Sequence, residues 1–148
     1  MSDQKYLLNV LENIIHEKTQ FPDTDNIAYL TVSKIGKITE PGALDFGGSE
    51  YNAADIKWLE AKKHSDEDKY GWWDLNEDMY LVEYNEKVQL DETSRVLIQL
   101  WTKALKAGIS HPTLVITESR DPLQILVTVS KAGIDIKENA RLSEIRMI

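Results

Sequence analysis

The feature that most constrains this chain is a rhythm of short apolar runs that sets in after residue 73. Residues 79–83 (MYLVE), 86–90 (EKVQL), 95–100 (RVLIQL), 113–117 (TLVIT), 123–129 (LQILVTV), 134–136 and 142–147 follow one another with polar punctuation between them. Val, Ile, Leu and Thr dominate these runs, and each is too short for a stable helix. Many short strands at such spacing fold as a sandwich, a jelly roll or a barrel. The expected class is therefore mainly β.

The first half of the chain reads differently. Residues 3–19 predict one amphipathic helix, because Leu7, Leu8, Leu11, Ile14 and Ile15 fall on one stripe. Ser2 or Asp3 is its expected N-cap, and Phe21-Pro22 ends it. A polar turn at 23–26 leads to an expected strand at 27–33, with turns at Gly36 and at Pro41-Gly42. Residues 52–63 read as a short helix with Ala53, Ile56 and Ala61 on one side, followed by a charged loop at 64–69 (HSDEDK). A second short helix is expected at 102–107, closed by Gly108 as its C′ glycine. The length of 148 residues suits one domain, 1–148, with the helix within 1–22 and the β part over 27–148. No repeat or low-complexity segment is visible.

Composition narrows the partners. There is no Cys, hence no disulfide framework and no thiolate metal site. Seventeen Lys and Arg against 25 Asp and Glu give a net charge of −8, which repels a phosphate backbone and argues against nucleic acid as the main partner. No run of about 18 apolar residues suggests a membrane span, and the first residues lack the pattern of a signal peptide. A cytoplasmic location is the expectation.

Four segments in order, and a closing run after them, resemble the trimeric dUTPases and dCTP deaminases. Residues 41–46 (PGALDF) are similar to the family's "P-A-S-L-D-L", residues 75–82 (LNEDMYLV) to "L-x-P-G-E-x-x-x-L", and residues 86–90 to "E-x-V-x-L-P". Residues 95–108 stand where the family carries "R-S-S-L-A-R-x-G", and residues 134–147 resemble its closing strand. The resemblance covers 27–148 and leaves the N-terminal helix as an extra. It implies a distorted jelly-roll or β-clip-like fold, a homotrimer, and nucleotide sites between subunits.

The resemblance also shows what has changed. Counted back from Gly108, Trp101 takes the place of the family Arg, Thr102 and Lys103 those of the two Ser, and Lys106 that of the second Arg. Thr102, Lys103 and Lys106 are the implied phosphate-binding residues, since a helix start with hydroxyls and cations favours anions. A solvated basic face beside a packed Trp101 is the plainer alternative. Asp45 takes the place of the family's early Asp, near phosphates or Mg²⁺, or else simply caps a turn. The Asp that orients the attacking water in dUTPases is replaced by Thr117, and the proton-shuttling Glu of the deaminases by Thr128. A hydroxyl cannot act as a carboxylate base near neutral pH. Glu118 and Asp121 are the nearest replacement acids, and Ser119-Arg120-Asp121-Pro122 stands where the family has a Tyr-Arg-Gly turn.

Other motifs carry little chemistry. His16, His64 and His111 lack metal-ligand spacing, so no protein metal site is expected, and Mg²⁺ would enter only with a nucleoside triphosphate. Gly47-Gly48 is no phosphate loop. Trp72-Trp73 reads as core or interface, or as a stacking surface. Two functions follow. One is a divergent protein of deoxynucleotide metabolism that binds a deoxynucleotide with degraded catalysis; if active, it releases pyrophosphate from a deoxynucleoside triphosphate or deaminates a cytosine ring. The other is a non-catalytic trimeric module for protein interaction or structure.

Overall fold

The computed structural model describes residues 3–23 and 26–148, so Ser2 and the Asp3 side chain, read above as N-caps, lie outside it, as does part of the turn at 23–26. In chain order the elements are α1 (Asp3–Val10), β1 (Leu11–Glu12), α2 (Glu17–Gln20), β2 (Ala28–Glu40), β3 (Asp55–Trp58), β4 (Trp72–Leu75), β5 (Asp78–Tyr84), β6 (Lys87–Val88), β7 (Val96–Leu100), α3 (Thr102–Ala107), β8 (Ile109–Ser110), β9 (Leu114–Ile116), β10 (Gln124–Val129), β11 (Ile134–Lys137) and β12 (Arg141–Met147).

The main sheet has the order β8-β10-β5-β2-β12-β7-β9, with β3 paired to the far half of β2. Two small ribbons, β1–β6 and β11–β4, complete it, and every pairing is antiparallel. Period-two alternation decides which face goes inward. Tyr80, Val82 and Tyr84 of β5 are buried, as are Ile125, Val127 and Val129 of β10 and Val96 and Ile98 of β7. Each buried Val, Leu or Ile side chain contributes about 1.5–3 kcal/mol. Register shifts within β2 and β12 mark bulges, which bend and twist a strand and so curl the sheet around this core. The mainly β class is borne out, and the strand runs after residue 73 all form strands.

Three local expectations are corrected. The N-terminal helix does not run to residue 19. It stops at Val10, Leu11 pairs with Val88, and Asn13 takes a left-handed φ of 66°, a conformation Asn tolerates. The Gln20 side chain then holds the returning chain by accepting from the N–H groups of Ile15 and His16, both at 2.9 Å. The apolar stripe is used only in part: Leu7 and Leu11 are buried, while Leu8 and Ile15 are exposed.

Gly36 is not a turn. It lies within β2, where a Cβ would come within 2.5 Å of Ile56 Cγ2 and 2.9 Å of Trp58 Cε3. Residues 52–63 are not helical. Their centre is β3, which crosses β2 with Gly36 opposite Trp58 and Ile38 opposite Ile56. The glycine is there because β3 passes too close for a side chain.

Candidate functional site

The short internal helix forms as expected. Trp101 precedes it in extended conformation and has no side-chain cap, Ala104 is its buried anchor, and Gly108 closes it at φ 108°. The Trp101 N–H donates to Leu142 O at 3.1 Å, which ties the start of α3 to β12. Thr102, Lys103 and Lys106 are all exposed.

What gathers around Trp101 comes from distant strands. Arg141, opposite Thr31 in the β12–β2 ladder, lays its guanidinium 4.5 Å from the Trp101 ring centroid and 5.0 Å from that of Tyr29. The two rings are 5.2 Å apart and tilted by 60°. Lys103 Nζ sits 5.6 Å from the Trp101 ring. Among the described residues, Lys103, Lys106 and Arg141 form no ion pair.

Beside this cluster is a cavity of about 250 Å³. Its walls include Trp72, Trp101, Ala104, Ile109 and Ile136, and Lys103, Lys137 and Arg141 also line it. Asp135 is the one carboxylate among its lining residues. Such a pocket suits a flat apolar body joined to an anionic group: indole faces take the first, free cations the second. Trp72 is held there by the His64 ring stacked at 4.8 Å and by Lys137 Nζ at 5.3 Å.

A second polar feature continues from the same segment. His111 Nδ1 lies 2.9 Å from Pro112 O, and its Nε2 lies 2.8 Å from Ser143 Oγ. Ser143 Oγ in turn lies 2.6 Å from the Tyr84 hydroxyl. Nδ1 therefore donates and Nε2 accepts, so the chain runs from Tyr84 to Ser143 to His111. Burial pushes the Tyr84 phenol up and the His111 imidazole down from their ordinary values.

The acidic candidates are elsewhere. β9 runs antiparallel to β7 with Ile116 opposite Val96. Thr117 to Asp121 thus emerge at the start of β7, whereas α3 follows its end, about 13 Å of strand away. Glu118 pairs with Arg120 at 3.7 Å and Asp121 with Lys87 at 3.2 Å. Thr128 pairs with Ser110, close to α3 in sequence, and brings a hydroxyl there. Asp45 sits on a hairpin beyond the end of β2, where its Oδ2 accepts from Gly48 N at 3.0 Å and Glu50 N at 2.9 Å. Within one chain Asp45, Glu118 and Asp121 do not meet Thr102, Lys103 and Lys106. Among the described residues no three His, Asp or Glu side chains converge as a metal site.

Trp72, read from the sequence as core, interface or a stacking surface, joins the cluster together with Tyr29, Asp135, Lys137 and Arg141, which carry no local sequence signal for it. Only the ladder register reveals their proximity.

No family model matches this chain. A probable deoxyuridine 5'-triphosphate nucleotidohydrolase of Methanosarcina mazei is 30% identical over 138 residues, covering 92% of this chain and 76% of that protein. A protein of the same description from Methanosarcina acetivorans is 29% identical over 139 residues, covering 93% and 77%. Among solved structures, a 2'-deoxycytidine 5'-triphosphate deaminase from Agrobacterium tumefaciens shares the fold, with a TM-score of 0.64 at 13% identity. That likeness covers 99% of this chain and 46% of the deaminase chain, so this chain spans less than half of its length. These matches extend beyond residues 27–148, so the N-terminal segment is part of the likeness rather than an addition to it.

Proposed function

The chain belongs to the dUTPase and dCTP deaminase superfamily of deoxynucleotide metabolism, and from that premise we propose that it binds a deoxynucleotide beside α3 with degraded catalysis. The observation that carries this reading is the cavity walled by Trp72 and Trp101, with Lys103 and Arg141 at its lining free of ion pairs to the described residues. The indoles take the base or sugar. Thr102, Lys103, Lys106 and Arg141 take the phosphates. Where the resemblance expects an Arg, Trp101 stands instead, and Arg141 brings a guanidinium against its ring from β12.

Degraded catalysis follows from what this chain offers at the site. Thr117 and Thr128 hold hydroxyls where the resemblance implies Asp and Glu, and neither is a base near neutral pH. Glu118 and Asp121 are exposed, ion-paired and far along β7 from α3 in the same chain. They could reach a nucleotide only across a subunit boundary, and the same holds for Asp45. Mg²⁺ fits this donor set only as an ion carried by the phosphates of a bound triphosphate, because one carboxylate, Asp135, cannot make an octahedral oxygen site. A homotrimer working in the cytoplasm completes the proposal.

A second reading, a non-catalytic interaction or structural module, is favoured by the exposed Leu44 and Phe46 of the hairpin beyond β2. One experiment separates the two. The purified protein is incubated with Mg²⁺ and dUTP, dCTP or dTTP, and its melting temperature, pyrophosphate and ammonia are followed. Binding without turnover supports the proposal, because a ligand at 100 times its Kd stabilises the native state by about 2.7 kcal/mol. Neither stabilisation nor turnover leaves the module reading.

A further inference from the structure

Trp72, Asp74, Asp135 and Lys137 share the outward face of the β4–β11 ribbon. Trp72 lies opposite Lys137 and Asp74 opposite Asp135, while Trp73 and Ile136 between them turn into the core. Residues 62–72 loop over that face as a strap. Its two ends are joined by the Lys62–Trp72 bridge, with backbone hydrogen bonds of 2.9 and 2.7 Å. The Gly71 N–H donates to Glu138 Oε1 at 2.8 Å, and the Glu138 N–H donates to Gly71 O at 3.0 Å, which fixes the base of the strap to the end of β11. A Cβ on Gly71 would stand 2.8 Å from the Ala61 carbonyl carbon, so this closure needs glycine.

The tip of the strap is held more loosely. None of residues 63–70 is buried. Asp68 Oδ2 accepts from the His64 and Ser65 N–H groups, both at 3.1 Å, which folds the tip on itself. Three side-chain contacts then fasten it to the ribbon. The His64 ring stacks on Trp72 within 4° of parallel, His64 Nε2 lies 3.0 Å from Asp74 Oδ1, and Asp68 Oδ1 lies 3.9 Å from Lys137 Nζ. Lys137 lines the cavity together with Lys103 and Arg141. It differs from them in having a carboxylate partner, and that pair is long and leaves the Lys137 side chain 37% exposed. An ion pair of this kind contributes little to stability, whereas a hydrogen bond from an ammonium to a phosphate oxygen is among the strong ones.

We propose that Lys137 is a further phosphate-binding residue of this cavity and that Asp68 is its built-in competitor: the carboxylate holds the ammonium until a ligand phosphate takes its place. The base of the strap is backbone-bonded and stays, while the tip lets go of one side chain. Asp68 thereby selects for ligands whose negative charge reaches β11, since only these regain what the exchange gives up. The inference rests on the deoxynucleotide site proposed above and adds to it a residue from the opposite wall to α3.

Calorimetric titration of Mg²⁺-dUTP and Mg²⁺-dCTP into the wild type, Asp68→Asn, Lys137→Gln, the double variant and Glu67→Gln tests it. Asn keeps an oxygen for the His64 and Ser65 N–H groups. Glu67 forms no ion pair among the described residues, so E67Q removes the same charge from the same strap without touching Lys137. For the nucleotide that binds, D68N is expected to bind about two- to fivefold tighter and K137Q at least about threefold weaker. In the K137Q background D68N is expected to add no more than E67Q adds to the wild type. A strap damaged by substitution weakens binding and so cannot imitate the gain. D68N no tighter than wild type, a gain that E67Q matches or that survives without Lys137, or K137Q binding as wild type overturns this inference and leaves the site standing. A wild type that binds neither nucleotide overturns both.

Discussion

Arg141 lies over Trp101, its guanidinium 4.5 Å from the indole centroid, because β12 and β7 are ladder neighbours and the Trp101 N–H donates to Leu142 O at 3.1 Å. Tyr29 covers the same guanidinium at 5.0 Å. The arrangement holds a cation beside a cavity without an ion pair to any of the described residues.

Arg141→Ala is expected to weaken deoxynucleotide binding at least about tenfold, since it removes a charge-assisted contact to the phosphates. Arg141→Lys is expected to recover only part of the loss, because an ammonium cannot bind a phosphate through two parallel N–H groups as a guanidinium does. Titration calorimetry with a deoxynucleoside triphosphate reads both.

Glu86 is fully buried between the Thr31 N–H at 2.7 Å and Gln20 Nε2 at 2.9 Å, and the Thr31 hydroxyl also donates to it. Burial outweighs these hydrogen bonds and holds its pKa above the ordinary 4.5. A raised folded pKa stabilises fully below the unfolded value and loses that contribution as pH rises through the folded one. The melting temperature of Glu86→Gln relative to wild type is therefore expected to climb as pH rises above 4.5. A difference that stays flat with pH contradicts the assignment.

The Tyr84–Ser143–His111 chain gives the opposite slope. Burial lowers the His111 pKa below 6.5, so its contribution is present above that pH and is lost as pH falls through the folded value. His111→Ala is expected to flatten the acid side of the stability profile. Tyr84→Phe is expected to keep the slope and cost about 1 kcal/mol, the net worth of one buried hydrogen bond. Urea unfolding between pH 5 and 8 checks both.

Gly133 turns β10 into β11 at φ 81°, and a Cβ there would stand 2.6 Å from Leu75 O, a backbone atom that cannot swing away. Gly133→Ala is expected to destabilise by about 1–3 kcal/mol. Chemical denaturation measures it.

The strands after residue 73 are legible because their alternation is local and each buries one face. α3 and Gly108 are legible for a similar reason, helix composition followed by the residue a left-handed cap requires. The N-terminal helix misleads because its break depends on Leu11 pairing with Val88 and on Gln20 folding back, contacts no local window contains. Gly36 misleads because its cause is the approach of Ile56 and Trp58 from another strand. Half of the candidate site is legible for the same reason as α3. Thr102 and Lys103 lie in a motif and Trp72 in a conspicuous Trp pair, whereas Tyr29, Lys137 and Arg141 reach the site through strand register and show nothing in their neighbours along the chain.

The most direct measurement is calorimetric titration of Mg²⁺-dUTP and Mg²⁺-dCTP into the wild type and Trp101→Ala, with pyrophosphate and ammonia assayed in the same samples. The account predicts saturable binding to the wild type, at least about tenfold weaker in W101A, and neither product above the protein-free control. Turnover of either nucleotide, or affinity unchanged by the loss of the indole, would contradict it.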